Sequence, residues 1–151
     1  MSVIRITKHF DFETAHALYG YDGKCKNVHG HSYQLFVTVI GKPIDDIDNV
    51  KNGMVIDFGD LKQIVKSEIV DVFDHATVLN ENSPHLELAE KIRPHSPKVL
   101  LVGYQPTSEN MIVDFAERIG KKLPESVQLH SLKLYETQNS YAEWFASDQL
   151  S

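Results

Sequence analysis

The chain has 151 residues, of which 42% are hydrophobic and 24% charged, a length and composition that suit one domain able to bury roughly 68–70% of its unfolded surface. A formal charge of −6 argues against a general nucleic-acid or membrane-surface binder, since both carry a basic face, and favours a small-molecule ligand. The first residues, Met1-Ser2-Val3-Ile4-Arg5-Ile6, lack the apolar core of a signal peptide, and no run approaches the ~18 apolar residues of a membrane span, so a cytoplasmic protein is expected.

From Val3 to His16 the residues Ile4, Ile6, Phe10, Phe12, Thr14 and His16 alternate with Arg5, Thr7, His9, Asp11 and Glu13, the period of a long half-buried strand. Tyr19 to Lys24 is rich in turn residues. From His31 to Ile40, Tyr33, Leu35, Val37 and Val39 share the parity of His31 in a run of β-branched and aromatic residues, which predicts a second strand and hence a hairpin. Asp57 is placed to cap a helix in which Phe58, Leu61, Ile64, Val65, Ile69 and Val72 recur at helical spacing, ending near Phe73. Ser83-Pro84 opens a short helix through Leu86, Ala89 and Ile92 that Pro94 stops. Lys98 to Gly103 reads as an apolar strand. Ser108 is expected to cap a helix with the stripe Met111, Ile112, Phe115, Ala116 and Ile119, and Lys121 and Lys122 suit its carboxyl end. Leu129 to Glu136 alternates again, and Ser140 to Phe145 supplies a last strand. The order is strand pair, helix, helix, strand pair.

Chemistry concentrates in Cys25-Lys26-Asn27-Val28-His29-Gly30-His31. In an extended segment His29 and His31 point to the same face, about 7 Å apart, so both imidazoles can reach one ion. His16 ends the apolar stripe of the first strand, where the hairpin brings it near them. Three nitrogen ligands leave a zinc ion one open position, as in catalytic sites, whereas Cys25 as a fourth ligand would make a structural Cys/His₃ site. Both arrangements fit the spacing. A lone His-x-His is more often a core or surface pair, but neutral imidazoles on a face shared with Tyr33, Leu35 and Val37 need partners for their polar nitrogens. The single cysteine has no internal disulfide partner, leaving a buried hydrophobe, a ligand, or a nucleophile or base.

Phe73-Asp74-His75 forms a second constellation. An isolated Asp-His pair is usually a solvated helix end, but an imidazole oriented by a carboxylate lowers a nearby thiol's pKa or carries protons for it. Glu136 continues an apolar parity, where a carboxylate is costly unless paired; a ligand edge with two parallel N–H donors would match it. His9, His85, His95 and His130 have no such company.

Together Cys25-x-x-x-His29-Gly30-His31, Ile56-Asp57-Phe58, Phe73-Asp74-His75, Pro106-Thr107-Ser108-Glu109-Asn110 and Tyr135-Glu136-Thr137 resemble the 6-pyruvoyl-tetrahydropterin synthase family, in its order and from about Ile6 to Phe145. The three-residue gap before His29 resembles the branch that makes 6-carboxy-5,6,7,8-tetrahydropterin for queuosine; a longer gap is similar to the biopterin branch. The resemblance implies an α+β tunnelling fold. Its ββααββ subunit has an antiparallel sheet with helices on one face, one domain over residues 1–151, and forms a β-barrel in a homohexamer, a dimer of trimers with sites between subunits. It implies zinc on His16, His29 and His31, Cys25 as base, Asp74 with His75 as proton-transfer group, Glu136 as pterin anchor, and Thr107, Ser108 and Glu109 along the pterin pocket. The implied reaction converts 7,8-dihydroneopterin triphosphate to 6-carboxy-tetrahydropterin, acetaldehyde and triphosphate.

Two departures stand out. Glu81 to Tyr104, with Pro84, Pro94 and Pro97, is longer than the compact bacterial pattern, and Ala76 follows His75 where a second histidine is common. A cupin-like oxygenase also uses His-x-His but wants a carboxylate a few residues later, and Ser32 to Ile44 has none. A noncatalytic zinc-stabilised interaction module would need Cys25 on the metal and no use for Asp74, His75 or Glu136.

Overall fold

A computed structural model describes residues 2–150. Alternation sets its frame. In β1 (Ile4–His16) Phe10, Phe12, Thr14 and His16 turn inward, and in β2 (His29–Gly41) Tyr33, Leu35, Val37 and Val39 do the same. The two strands pair antiparallel over their whole length, from Ile4 opposite Gly41 to His16 opposite His29. Thus β2 begins two residues before the expected His31, and His29 enters the ladder itself.

β5 (Val127–Tyr135) pairs antiparallel with β2, and β6 (Tyr141–Phe145) with β5. Thr38 faces Ser131 while Val39 faces Leu129, so His130 is an extra, bulged residue. The bulge shifts the parity by one, which is why Val127 and Leu129 are buried before it and Leu132 and Leu134 after it.

Sequence periodicity missed β3 (Ala76–Asn80), which is too short to show a period. It runs parallel to β1, and β4 (Val99–Val102) runs parallel to β3. The sheet, ordered β4-β3-β1-β2-β5-β6, is therefore mixed: antiparallel, as expected, through β1, β2, β5 and β6, and parallel at its β3–β4 end. It is a curled half-barrel with few helices packed on it, an α+β architecture, and β4 and β6 are its unpaired edges among the described residues.

α1 (Phe58–Val65) starts where Asp57 predicts, with the Asp57 carboxylate accepting from Gly59 N at 2.7 Å and Asp60 N at 3.3 Å, a cap worth about 1 kcal/mol. The helix runs on through a π turn at Lys66–Val70 into α2 (Asp71–Phe73), so its periodicity reads through one widened turn. The cap of α4 (Ser108–Gly120) is Thr107, whose hydroxyl accepts from Asn110 N; Ser108, the expected cap, is the first helical residue. α1 and α4 cover one sheet face, where Phe115 meets Phe12 and Phe73 edge-on at 5.9 and 4.8 Å between ring centroids.

α3 (His85–Ile92) differs. Its Leu88, Ala89 and Ile92 pack with Leu79, Val99, Leu101 and Ala17, while Val78 and Val102 belong to the main core. Because adjacent strand residues face opposite ways, α3 lies on the other face of β3 and β4. The long 81–104 segment thus supplies α3 and β4, which with β3 make a β–α–β unit with its own small core.

Candidate functional site

The antiparallel register puts His16 opposite His29, with His31 diagonal to it on the same face. One ligand nitrogen from each lies within 4.8 Å of the others, and these three form the metal-capable group among the described residues. Cys25 is not in it. His16 is 1% exposed. Its Nδ1–H donates to the Pro106 carbonyl at 2.6 Å, and His29 Nδ1–H donates to the Asn27 carbonyl at 2.6 Å. A carbonyl only accepts, so both neutral rings carry their proton on Nδ1 and present an Nε2 lone pair.

Those two Nε2 atoms are 3.1 Å apart. Between neutral rings this is two opposed lone pairs, whereas nitrogens at ~2.0–2.1 Å around a tetrahedral zinc lie about 3.3 Å apart. The buried His31 Nε2 has no hydrogen-bond partner, although Glu136 Oε1 is 3.3 Å from it and 3.3 Å from His16 Nε2. Opposed lone pairs, an orphaned nitrogen and an adjacent carboxylate all call for a positive charge in their midst. Three imidazoles are a donor set that zinc accepts, so the residues fit the group.

Electrostatics point the same way. Burial holds His31 below the ordinary imidazole value against the raising effect of Glu136, and His16 and His29 add to the lowering. Its lone pair is thus available at neutral pH. The His16 contact holds the Glu136 carboxyl below its usual range, against burial, with help from His31 and His29. Tyr33 is fully buried, its ring edge-on to His31 at 5.6 Å and to His16 at 6.3 Å, and its hydroxyl has no partner. Burial first, then Glu136 and Cys25, push this phenol far above its ordinary value. Alternation marked Tyr33 as core, and only the fold sets it behind the histidines.

Asp74 and His75 sit where α2 ends and β3 begins. Asp74 Oδ1 accepts from Glu13 N at 2.9 Å and lies 3.1 Å from His75 Nδ1. His75 N donates to the Glu13 carbonyl at 2.5 Å, and Lys98 Nζ donates to the carbonyls of Asp71 at 3.0 Å and Asp74 at 2.5 Å. This bracing holds His75 at φ 60°, a left-handed conformation that costs a non-glycine residue about 1–2 kcal/mol. The Glu13 hydrogen bond above all, then His75 and Lys98, keep the Asp74 carboxyl ionised below its ordinary range. His75 shares a depression of about 280 Å³ with His31, Glu13 and Ser32. No hydrogen bond or ring contact joins Asp74 or His75 to Cys25 among the described residues. Glu13 acts through its own backbone N–H and carbonyl, and Lys98 through its ammonium on backbone carbonyls, pairings for which the sequence carries no signal.

Ser108, Glu109 and Glu136 line a second depression of about 460 Å³ with Ser140, Tyr141 and Glu143. The Ser108 hydroxyl there is buried and unpartnered. Thr107 is engaged as the α4 cap. Four of the five motif segments therefore converge at one end of the sheet, with Cys25 half-buried in the short turn Lys24–Lys26 of the connecting loop, whereas Ile56-Asp57-Phe58 lies beside Ile4 and Ile6 at the other end of the hairpin.

A mixed half-barrel with a trio of histidines at the end of its central hairpin defines the class, and comparison with known proteins gives the family. The family model described as 6-pyruvoyl tetrahydropterin synthase matches residues 5–147, and the chain belongs to that family. It is 36% identical over 143 residues to a Haemophilus influenzae protein named 6-carboxy-5,6,7,8-tetrahydropterin synthase, covering 94% of this chain and 99% of that one. Its fold is similar to that of an uncharacterised Wolinella succinogenes protein, with a TM-score of 0.79, 20% identity, and 97% and 99% of the two chains covered. The Caenorhabditis elegans 6-pyruvoyl tetrahydropterin synthase gives a TM-score of 0.68 at 22% identity, with 97% of each chain covered.

Proposed function

We propose that this protein is a zinc-dependent lyase that converts 7,8-dihydroneopterin triphosphate and water to 6-carboxy-5,6,7,8-tetrahydropterin, acetaldehyde and triphosphate, in the making of queuosine. The 3.1 Å approach of the His16 and His29 Nε2 atoms, beside the unpartnered His31 Nε2, carries the metal assignment. The relatives named 6-carboxy-5,6,7,8-tetrahydropterin synthase, at 36% and 33% identity, favour the carboxy product over the pyruvoyl product of the biopterin branch.

Bound zinc would supply Lewis-acid polarisation of the substrate's side-chain hydroxyls, which acidifies the adjoining C–H bonds. Pro106 and Asn27 fix the tautomers of His16 and His29 so that both offer lone pairs. Cys25 takes the carbon-bound proton as base, and His75, oriented by Asp74, carries protons through side-chain isomerisation, triphosphate loss and carbon–carbon cleavage. Glu136 swings from the histidines to accept the two parallel N–H donors of the pterin ring. Thr107, Ser108 and Glu109 border the ring's pocket.

We further propose that the thiol and the dyad that serves it come from different subunits, a reading supported by the 76% exposure of His75 and by the lack of a hydrogen bond or ring contact between it and Cys25 among the described residues. The unpaired edges of β4 and β6 suit closure of the sheet into a barrel with other copies. We therefore propose a homohexamer, a dimer of trimers, of one-domain subunits spanning residues 1–151. No helix among the described residues is long and apolar enough to cross a membrane, and a cytoplasmic site of action goes with this reading.

The test is product analysis. Zinc-loaded protein given 7,8-dihydroneopterin triphosphate should release acetaldehyde, and Cys25→Ala should abolish turnover while zinc stays bound. A pyruvoyl pterin without acetaldehyde would move the protein to the biopterin branch. Loss of zinc with the thiol would favour a structural Cys/His₃ site.

A further inference from the structure

The segment between His16 and Cys25 holds one metal ligand at its start and the thiol near its end, and it needs something to fix one against the other. Its own contacts are few. Leu18 N donates to the Cys25 carbonyl at 3.0 Å, which ties the thiol-bearing turn to the strand end. The next residue, Tyr19, is gripped from outside. Its N–H donates to Gln105 Oε1 at 3.2 Å, and its carbonyl accepts from Gln105 Nε2 at 3.0 Å. One planar amide thus satisfies both backbone polar groups of Tyr19, as a neighbouring strand would.

Gln105 is itself held. Its carbonyl accepts from Asn110 Nδ2 at 3.0 Å, and Asn110 N donates to the Thr107 cap of α4. The residue after it, Pro106, offers the carbonyl that orients His16. Two consecutive residues therefore hold the start of the same loop: Pro106 the metal ligand His16, and Gln105 the Tyr19 backbone, next to the Leu18 that is bonded to Cys25. The β–α–β unit adds a second grip, because Ala17 is buried among Leu79, Ala89 and Leu88, and the Tyr19 ring meets His85 edge-on at 5.4 Å.

We propose that Gln105 is a positioning residue, whose side-chain amide clamps Tyr19 and so sets the Cys25 thiol relative to the histidine trio. The assignment rests on the catalytic reading of Cys25 given above. It explains what the longer 81–104 segment does: β4 delivers Gln105 to the loop, and α3 braces the same stretch from the other side. The clamp acts on the thiol alone, since the Pro106–His16 bond is a backbone contact that a change at side chain 105 leaves in place.

The experiment compares zinc-loaded wild type with Gln105→Met, which keeps the length and loses both hydrogen bonds, and with Gln105→Glu, which keeps an acceptor for Tyr19 N but sets a second oxygen against the Tyr19 carbonyl. Cys25 alkylation by iodoacetamide is followed across pH, alongside zinc content and steady-state kinetics with 7,8-dihydroneopterin triphosphate. Alkylation should rise about tenfold or more in Gln105→Met, the order that loss of two neutral hydrogen bonds implies, and severalfold in Gln105→Glu, which loses one and opposes two oxygens, with full zinc content in both. kcat should fall with little change in KM. Wild-type alkylation rates and pH profile in both variants overturn the proposal, as does loss of zinc together with faster alkylation, which would mean that the site had come apart as a whole. If the wild type releases no acetaldehyde, the functional reading fails by itself, and the alkylation comparison still decides the role of Gln105.

Discussion

Replacing His29 by alanine separates a metal site from a buried histidine cluster, because the two predict opposite dependence on zinc. His29 gives up one hydrogen bond, Nδ1–H to the Asn27 carbonyl, worth about 0.5–1.5 kcal/mol. It also gives up the lone pair that faces His16 Nε2 at 3.1 Å, a contact that is unfavourable without a cation. In metal-free protein these effects oppose, so stability should change by less than about 1 kcal/mol. With zinc at about a thousand times its Kd, the wild type gains roughly 4 kcal/mol, which for a chain of this size raises Tm by about 8–16 °C. His29→Ala, left with two nitrogen ligands, should lose most of that rise. The assay is thermal unfolding by circular dichroism, with and without zinc after chelation and dialysis. An equal loss of Tm in both conditions, or a wild-type Tm indifferent to zinc, would show that the trio is packing and not a metal site.

Further outcomes follow from single contacts. His75→Gly should unfold about 0.5–1 kcal/mol later than His75→Ala in urea, because glycine adopts the left-handed conformation without strain; both should lack activity. Asp74 has its carboxyl pKa below the ordinary 3.8, so it stabilises the fold above that value and the contribution is lost as pH falls through the folded pKa. Asp74→Asn should therefore flatten the stability profile below about pH 4, measured by urea unfolding across pH. Phe115→Ala, which empties the junction between Phe12 and Phe73, should cost about 3–5 kcal/mol by the same method. Glu136→Gln should raise the KM for the pterin substrate at unchanged zinc content, since an amide sets a donor NH2 where the carboxylate has its second acceptor oxygen and so cannot match two parallel N–H donors.

The residues of the site were legible where spacing alone sets direction. His16, His29 and His31 lie on strands whose alternation fixes the face they share, and Asp57 caps α1 because a carboxylate before a helical stripe satisfies its free amides. Reading failed where the deciding partner lies far off in the chain. β3 is five residues long and is a strand only because β1 and β4 offer hydrogen bonds on either side. The bulge at His130 exists only against the β2 register, and Thr107 displaced Ser108 as cap by one residue of backbone geometry.

What the sequence determined by itself is the inventory and local direction of its chemistry: three imidazoles on one face, one thiol in a loop, a carboxylate–imidazole pair at a helix end. Those follow from backbone periods of two and 3.6 residues, which need no distant contact. Only the tertiary structure decided the tautomers that Pro106 and Asn27 impose, the Lys98 and Glu13 bracing of His75, and the grip of Gln105 on Tyr19 across 86 positions of chain. Each of these is a hydrogen bond to a backbone group. Every residue carries such groups, so side-chain identity cannot announce which of them folding will bring together.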